Sequence, residues 1–436
     1  MYVGRTAPSV GIPAWVPPSG YFADVPMVNN LAALSPSIYP GNAYIAPFID
    51  WNGSVFLRDY SALGGQMFIG AGHETSTTSA NLQLSVICDF STLMWSVQNV
   101  PAQSNAACTF QLNGISPSGT TGYTNLAGWP DLTSSGMPGT CTTDGTPYGG
   151  HNYMGVQEIP TSWGGGPKGS LLLFATAGSE WYNQLFKVDP SQAIGGYTPM
   201  STTQAANAKP TKISFSDSDS ERRGTYPMSC MDEVRQGYWF APKGGSYSYT
   251  LFVHRTGTIT QHALAGNNQS AGMILCPGYD LLIKIDGGQE TNASHRRLTI
   301  YNMTTGVTTT SQTLGTVPAL TDGYDAVHNF HMPDTLGMQW IEELGYAVGI
   351  DMMTDPANVT IVKLTPPATN PATNQWTWST VPLSHWSAGD PSGFNKLRIC
   401  TNTAWSKLRW IPTLHALAIT CDITQSAVAN PQIIKL

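Results

Sequence analysis

LLIKIDGG, residues 281–288, is an apolar run interrupted by one lysine and ended by an aspartate and two glycines. It is too short for a stable helix, and an apolar run bounded by glycine reads as a strand packed on both faces. The same unit occurs five more times, as MFIGAGH (67–73), LLLFATAG (171–178), YWFAPKGG (238–245), YAVGID (346–351) and ALAIT (416–420). Six copies of one buried strand imply a structural repeat, in which each unit buries its faces against its neighbours.

After five of these copies comes a strand, a tight polar turn and another strand: VICDFSTLMWSV (86–97), LFKVDPSQAIGGYTPM (185–200), LFVHRTGTITQHAL (251–264), LTIYNMTTGVTTTS (298–311) and the longer 359–381. Their turns carry Asp, Asn, Thr, Pro and Gly, which supply the dihedrals a hairpin needs. Trp95 and Trp378 fall on the outer strand of their hairpins, where a large aromatic packs against the next unit. Before each apolar strand lies a further strand candidate, at 52–60, 151–159, 225–233, 270–276, 326–332 and 397–403. The count is four strands per unit, which predicts an all-β, six-bladed β-propeller with four-stranded blades. An irregular seventh blade within 101–148 is the alternative count.

The sixth copy is short by one strand, because only 432–436 follows 416–420. A strand borrowed from the other end of the chain would remove the exposed edges at that seam. The leader, 1–44, holds spare segments such as 21–28, so it is expected to provide the ring-closing strand for the propeller at 45–436. Residues 101–148, rich in Gly, Ser and Thr, form an insertion loop between blades one and two. A loop of this length is a functional or contact arm, or else a surface excursion with its own small hairpin.

Composition agrees with this class. Charged residues are 11% of the chain against 44 Gly and 31 Pro, while 41% hydrophobic residues and 13 Trp supply a core. A net charge of −7 without a Lys/Arg cluster excludes nucleic acid as a partner. No run reaches the length of a membrane span, and the N-terminal stretch lacks the apolar core of a signal peptide, so synthesis in a cytoplasm without cleavage is expected. The seven cysteines form no CxxC. Cys88, Cys276, Cys400 and Cys421 lie in apolar runs and are expected to be buried. Cys108 and Cys141 flank a Gly/Ser/Thr loop and are placed to pair, although an odd set without a secretion signal favours free thiols.

YSALGGQMFIGAGH (60–73) and DFSTLMW (89–95) resemble the first blade of kelch-type, galactose-oxidase-like propellers, in which a strand ending Gly-Gly-Gly-His leads to an Asp turn and a Trp. The triplet here is Gly70-Ala71-Gly72. His151-Asn152-Tyr153 with Pro160, and Arg398 with LRWIPTLHAL (408–417), resemble landmarks of the kelch-like propellers of tailed bacteriophages. The resemblance runs over about 45–436 and implies a non-enzymatic virion protein made in the host cytoplasm. Such a tail or fibre component would contact other tail proteins and a host-surface glycan or protein, as a homo-oligomer in the particle.

Catalytic readings are weaker. Copper-radical chemistry needs a Tyr–Cys cross-link and converging His ligands, whereas His328 and His331 sit at i and i+3, on opposite faces of a strand. Glycoside hydrolysis would draw on Asp217, Asp219, Glu221, Asp232 or Glu233, but SFSDSDSERRG reads as a solvated loop. His73, Glu74 and His151 read as blade-to-blade hydrogen-bonding groups, and Gly164-Gly165-Gly166-Pro167-Lys168 as a turn, not a phosphate cradle. No catalytic residue, metal or cofactor is expected. The loop aromatics Trp163, Trp181, Tyr182, Tyr247 and Tyr249 are the candidates for a sugar-stacking or protein-docking surface. The alternatives to a virion attachment protein are a carbohydrate-binding or carbohydrate-processing propeller enzyme, and a bacterial scaffold with kelch-type protein contacts.

Overall fold

A computed structural model of the chain describes residues 11–29, 53–69, 85–99, 154–174, 184–192, 211–214, 228–241, 250–256, 258–262, 264, 272–285, 297–315, 336–352, 359–388, 395–398, 404, 406–420 and 430–436. The first strand, β1 (Tyr21–Asp24), precedes the first blade. Blade one is β2 (Ser54–Leu57), β3 (Gly65–Ile69), β4 (Ser85–Asp89) and β5 (Met94–Asn99). Blade two is β6 (Val156–Ile159), β7 (Ser170–Phe174), β8 (Gln184–Val188) and β9 (Thr211–Ser214). Blade three is β10 (Met228–Asp232), β11 (Gly237–Ala241), β12 (Thr250–His254) and β13 (Ile259–His262), and blade four is β14 (Gly272–Cys276), β15 (Leu281–Ile285), β16 (Arg297–Asn302) and β17 (Val307–Gln312). Blade five is β18 (Gln339–Ile341), β19 (Tyr346–Asp351), β20 (Thr360–Thr365) and β21 (Thr377–Val381). After the short β22 (Ser384–His385), β23 (Leu408–Ile411), β24 (Ala416–Ile419) and β25 (Gln432–Lys435) begin the last blade.

Within each of the first five blades the strands pair in chain order as an antiparallel meander. The last sheet runs β22-β1-β25-β24-β23. Its fourth place is taken by β1, antiparallel to β25 with Phe22 opposite Ile434, as the sequence required. The fold is therefore all-β, a six-bladed β-propeller with four-stranded blades. The chain divides into two compact units, one carrying blades one and two, the other β1 and blades three to six.

The two-faced burial of the second strand is visible in β15. Leu281, Ile283 and Ile285 join Met338, Val362, Trp376 and Trp378 in a core shared by blades four and five. Leu282, on the opposite face, joins Met228 and Trp239 in a core shared by blades three and four. In β19, Ala347 faces the first of these cores, while Val348 and Ile350 join Phe22, Leu417 and Ile434 of the last blade. In the other unit, Val55, Met67 and Ile87 of blade one pack with Val156, Leu171 and Val188 of blade two. Trp378 thus packs toward the preceding blade, not the next one as expected, and Trp95 lies 6.0 Å from Phe68 of its own blade.

Three strand assignments are corrected as well. The innermost strand of blade five is Gln339–Ile341, not 326–332, a segment outside the described residues. That of the last blade is Leu408–Ile411, not 397–403, and Leu397 and Arg398 lie outside any strand. The outer strand of blade two is Thr211–Ser214, beyond the expected 185–200. In the first two cases the partner of the second strand is the segment immediately before it, joined by a turn of four residues, so local closure prevails over a more distant alternating pattern.

The outer strands are covered by a recurring device. Leu314, just after β17, donates to Trp376 O and accepts from Trp378 N, bracketing the edge of β21. β22, just after β21, pairs with β1, and Trp386 N donates to Phe22 O. Val28 and Asn29, just after β1, lie on β5. Val28 N donates to Leu93 O, the Asn29 amide donates to Trp95 O at 2.8 Å, and its Oδ1 accepts from Trp95 N at 2.7 Å. The Asn29 side chain does the work of a strand residue for an edge that would otherwise present open backbone. No helix among the described residues is long and apolar enough to cross a membrane.

Candidate recognition surface

In all six blades the residue just before the second strand has positive φ: Gly64, Gly169, Gln236, Asp280, Gly345 and His415. This left-handed residue reverses the chain between the first two strands and fixes where the turn side chains point. In two blades the turn is a 3-10 segment opened by proline, Pro277–Tyr279 and Pro412–Leu414, with the left-handed residue donating back to the proline carbonyl.

In the unit of blades one and two, these turns are cross-linked. Glu158 at the end of β6 accepts from Arg58 N at 2.7 Å and Arg58 Nε at 2.6 Å. Asp59 returns the contact, accepting from Thr161 N and Thr161 Oγ1, both at 2.8 Å. Lys168 lies 4.6 Å from the centre of the Tyr60 ring. Trp163 sits here, half-buried in a 3-10 segment whose own N–H donates to Pro160 O. Glu158 is only 4% exposed, and burial pushes its carboxyl up to about 7, with Arg58 opposing and Asp59 reinforcing the rise.

That shift has a pH consequence. A carboxyl at about 7 in the folded chain and 4.5 otherwise binds more protons folded than unfolded between those values. The contribution to stability is full below pH 4.5 and is lost as pH rises through about 7. The expected result is a stability that falls by up to about 3 kcal/mol between roughly pH 4.5 and pH 7, read as a falling melting temperature. Glu158→Gln should flatten that slope in calorimetric scans. An equally steep slope in the variant would remove Glu158 as its source.

In the other unit, Arg235 bridges blades three and four by donating to Asp232 at 3.1 Å and to Asp280. Asp232 also accepts from Trp239 Nε1 at 3.0 Å and from Arg235 N at 2.9 Å, so this buried carboxylate is a structural anchor. Partial burial would raise the Asp280 carboxyl, but hydrogen bonds from Thr304 and Arg235 hold it below its usual range. His262 packs between Trp239 and Tyr301 at 4.8 and 5.8 Å, and burial, then Arg235, keep its imidazole below the usual range.

The next turns carry aromatics. Tyr279 is 41% exposed, and its ring lies 5.9 Å from that of Trp340, edge to face. Trp340 leans on Trp376 at 6.1 Å and donates its Nε1–H to Glu342 Oε2 at 2.6 Å. Glu343 pairs with His415 Nδ1 at 2.6 Å, linking blades five and six. Cys88, Cys230 and Cys276 are free thiols, each pushed up well above its ordinary value by burial, so none is primed as a nucleophile. Among the described residues no group of three His, Cys, Asp or Glu is arranged to hold a metal ion.

Of the expected binding aromatics, Trp163 falls among the turns of blades one and two, whereas Trp181, Tyr182, Tyr247 and Tyr249 lie outside the described residues. So do His73, Glu74, His151, His328, His331, Asp217, Asp219, Glu221, Cys108, Cys141, Cys400, Cys421 and the insertion 101–148. Cys88 and Cys276 are buried as expected. Tyr279 and Trp340 were not singled out from the sequence. Their signal is positional, since PGYD and QWIEELG each end at the left-handed residue before a second strand.

No family model and no curated protein matches the chain. Among solved structures, the hydrazine synthase of Kuenenia stuttgartiensis is similar at 9% identity and a TM-score of 0.39, over 88% of this chain and 80% of that one. A streptogramin B lyase is similar at 11% identity and a TM-score of 0.37, over 95% and 87%. At these values the likenesses bear on no activity, and the fold rests on the six sheets themselves.

Proposed function

We propose that this propeller is a non-enzymatic attachment module of a tailed-phage virion, a tail or fibre component that docks on the host surface or on neighbouring tail proteins. The observation that carries the non-enzymatic part is the fate of the charged groups on the turns. Arg58, Glu158, Asp59, Arg235, Asp280, Glu343 and His415 are committed to contacts between blades, and Asp232 to Arg235 within blade three, while Tyr279 is offered to solvent. Charges locked in neighbouring turns stiffen a surface and leave it little to do chemically; a rigid surface with protruding aromatics favours binding.

The virion part rests on the kelch-like landmarks. In blade one Asp89 accepts from Ser91 N, Thr92 Oγ1 and Ser61 Oγ, building the Asp turn that leads to Trp95. The fold carries no activity of its own, so the test must address function directly. Purified full-length chain, added in excess, should block adsorption of the phage that encodes it to host cells, and antibody against it should label the tail in electron micrographs. Release of reducing ends from host polysaccharide by the pure chain would overturn the non-enzymatic reading, and labelling confined to infected cells would overturn the virion one.

A further inference from the structure

We infer that Tyr279, Trp340 and Glu342 form a binding subsite for a neutral, hexose-containing glycan; this rests on the attachment reading and names its ligand class. Three observations converge. Tyr279 projects from a braced turn, because Pro277 opens it, Asp280 N donates back to Pro277 O at 3.1 Å, and Arg235 and Thr304 both donate to the Asp280 carboxylate. Its hydroxyl makes no hydrogen bond to a described residue, and 41% of the residue is exposed. Trp340 stands edge to face beside it and is backed by the fully buried Trp376, so the aromatic wall is fixed before any ligand arrives.

Glu342 completes the arrangement. The bond from Trp340 Nε1 holds its Oε2, and its Oε1 accepts no hydrogen bond from a described residue. That Oε1 lies over Gly278, where an added Cβ would approach it to 2.6 Å. The bare backbone therefore leaves room for the carboxylate beside Tyr279. An apolar C–H face of a pyranose stacks on aromatic rings, and its hydroxyls donate to a fixed carboxylate oxygen; few but well-placed polar groups on an aromatic floor are the usual chemistry of such sites. Glu342, the neighbouring Glu343 and a net charge of −7 disfavour an anionic sugar. Because Glu343 is held by His415, it is not a second carboxylate poised across a glycosidic bond, and the site binds without cleaving.

The experiment is saturation-transfer NMR and an immobilised panel of neutral oligosaccharides of glucose, galactose and mannose, with sialylated and sulfated glycans alongside. The chains compared are wild type, Tyr279→Ala, Tyr279→Phe and Glu342→Gln, each checked for an unchanged circular dichroism spectrum. Wild type is expected to bind at least one neutral glycan. Tyr279→Ala and Glu342→Gln should each weaken it about tenfold, and Tyr279→Phe, which keeps the ring, by less than about threefold. Neutral-glycan binding unchanged in both Tyr279→Ala and Glu342→Gln would overturn the site, and binding confined to anionic glycans would overturn the ligand class. If the pure chain blocks phage adsorption yet binds no glycan on the panel, this inference fails while the attachment reading stands. If it does neither, both fail.

Discussion

A chain lacking residues 1–24 is expected to lose its folded monomer, appearing as aggregate in size-exclusion chromatography or melting more than roughly 10 °C below wild type. The deletion removes β1, whose four residues pair with β25 from Tyr21 opposite Lys435 to Asp24 opposite Gln432. It takes Phe22 from the core it shares with Ile350, Leu417 and Ile434. It also removes Asp24, which is buried and accepts from Arg398 Nη2 and, at 2.9 Å, from Gln432 Nε2. Stripping the carboxylate from a buried guanidinium costs about 3–5 kcal/mol, a large share of the roughly 5–15 kcal/mol that keeps a typical domain folded. The bare edge of β25 would then be a template for pairing with another copy. Asp24→Ala isolates the ionic part and should lower stability by about 3 kcal/mol in urea titrations. A truncated chain with the melting temperature of wild type would show that β1 is dispensable.

Trp378→Ala is the second large effect, at about 3–5 kcal/mol, because it opens a cavity in the core shared by blades four and five. The instructive comparison is Trp378→Phe. The indole N–H of Trp378 is buried without a hydrogen-bond partner among the described residues. An orphaned donor costs about 1–3 kcal/mol, so phenylalanine loses ring volume but also removes that penalty. Its net cost should stay below about 1.5 kcal/mol, less than half that of alanine. Equal losses for the two variants, measured by urea unfolding, would mean that the N–H is satisfied in solution and that indole volume is not the deciding quantity.

The second strands were legible because a strand buried on both faces has no polar alternation to imitate. All six copies fall on β3, β7, β11, β15, β19 and β24. The borrowed strand was legible by counting, since 416–420 and 432–436 left the last blade one strand short. First strands were harder. Gln339–Ile341 has three residues, two of them half-buried, so neither length nor pattern announces it. The surface was least legible for a related reason. Gln236, Asp280 and His415 all adopt positive φ, where glycine is the usual signal, so the turn that aims Tyr279 has no glycine at its reversing position. Likewise nothing local in the sequence of Asn29 marks it as the cover of β5, because its partner, Trp95, lies 66 residues on.

The pairing of β1 with β25 has a consequence in time. Asp24 and Gln432 are 408 positions apart, so at ribosomal speeds of about 5–20 residues per second the first strand waits tens of seconds for its partner to emerge. During that interval its apolar residues must be kept from other edges, by the ribosome surface, by chaperones or by the brevity of the strand. Only a chain translated through β25 can take it up. A prematurely terminated or frameshifted product keeps a loose first strand and an open last sheet, which mark it for proteolysis before it can enter any assembly.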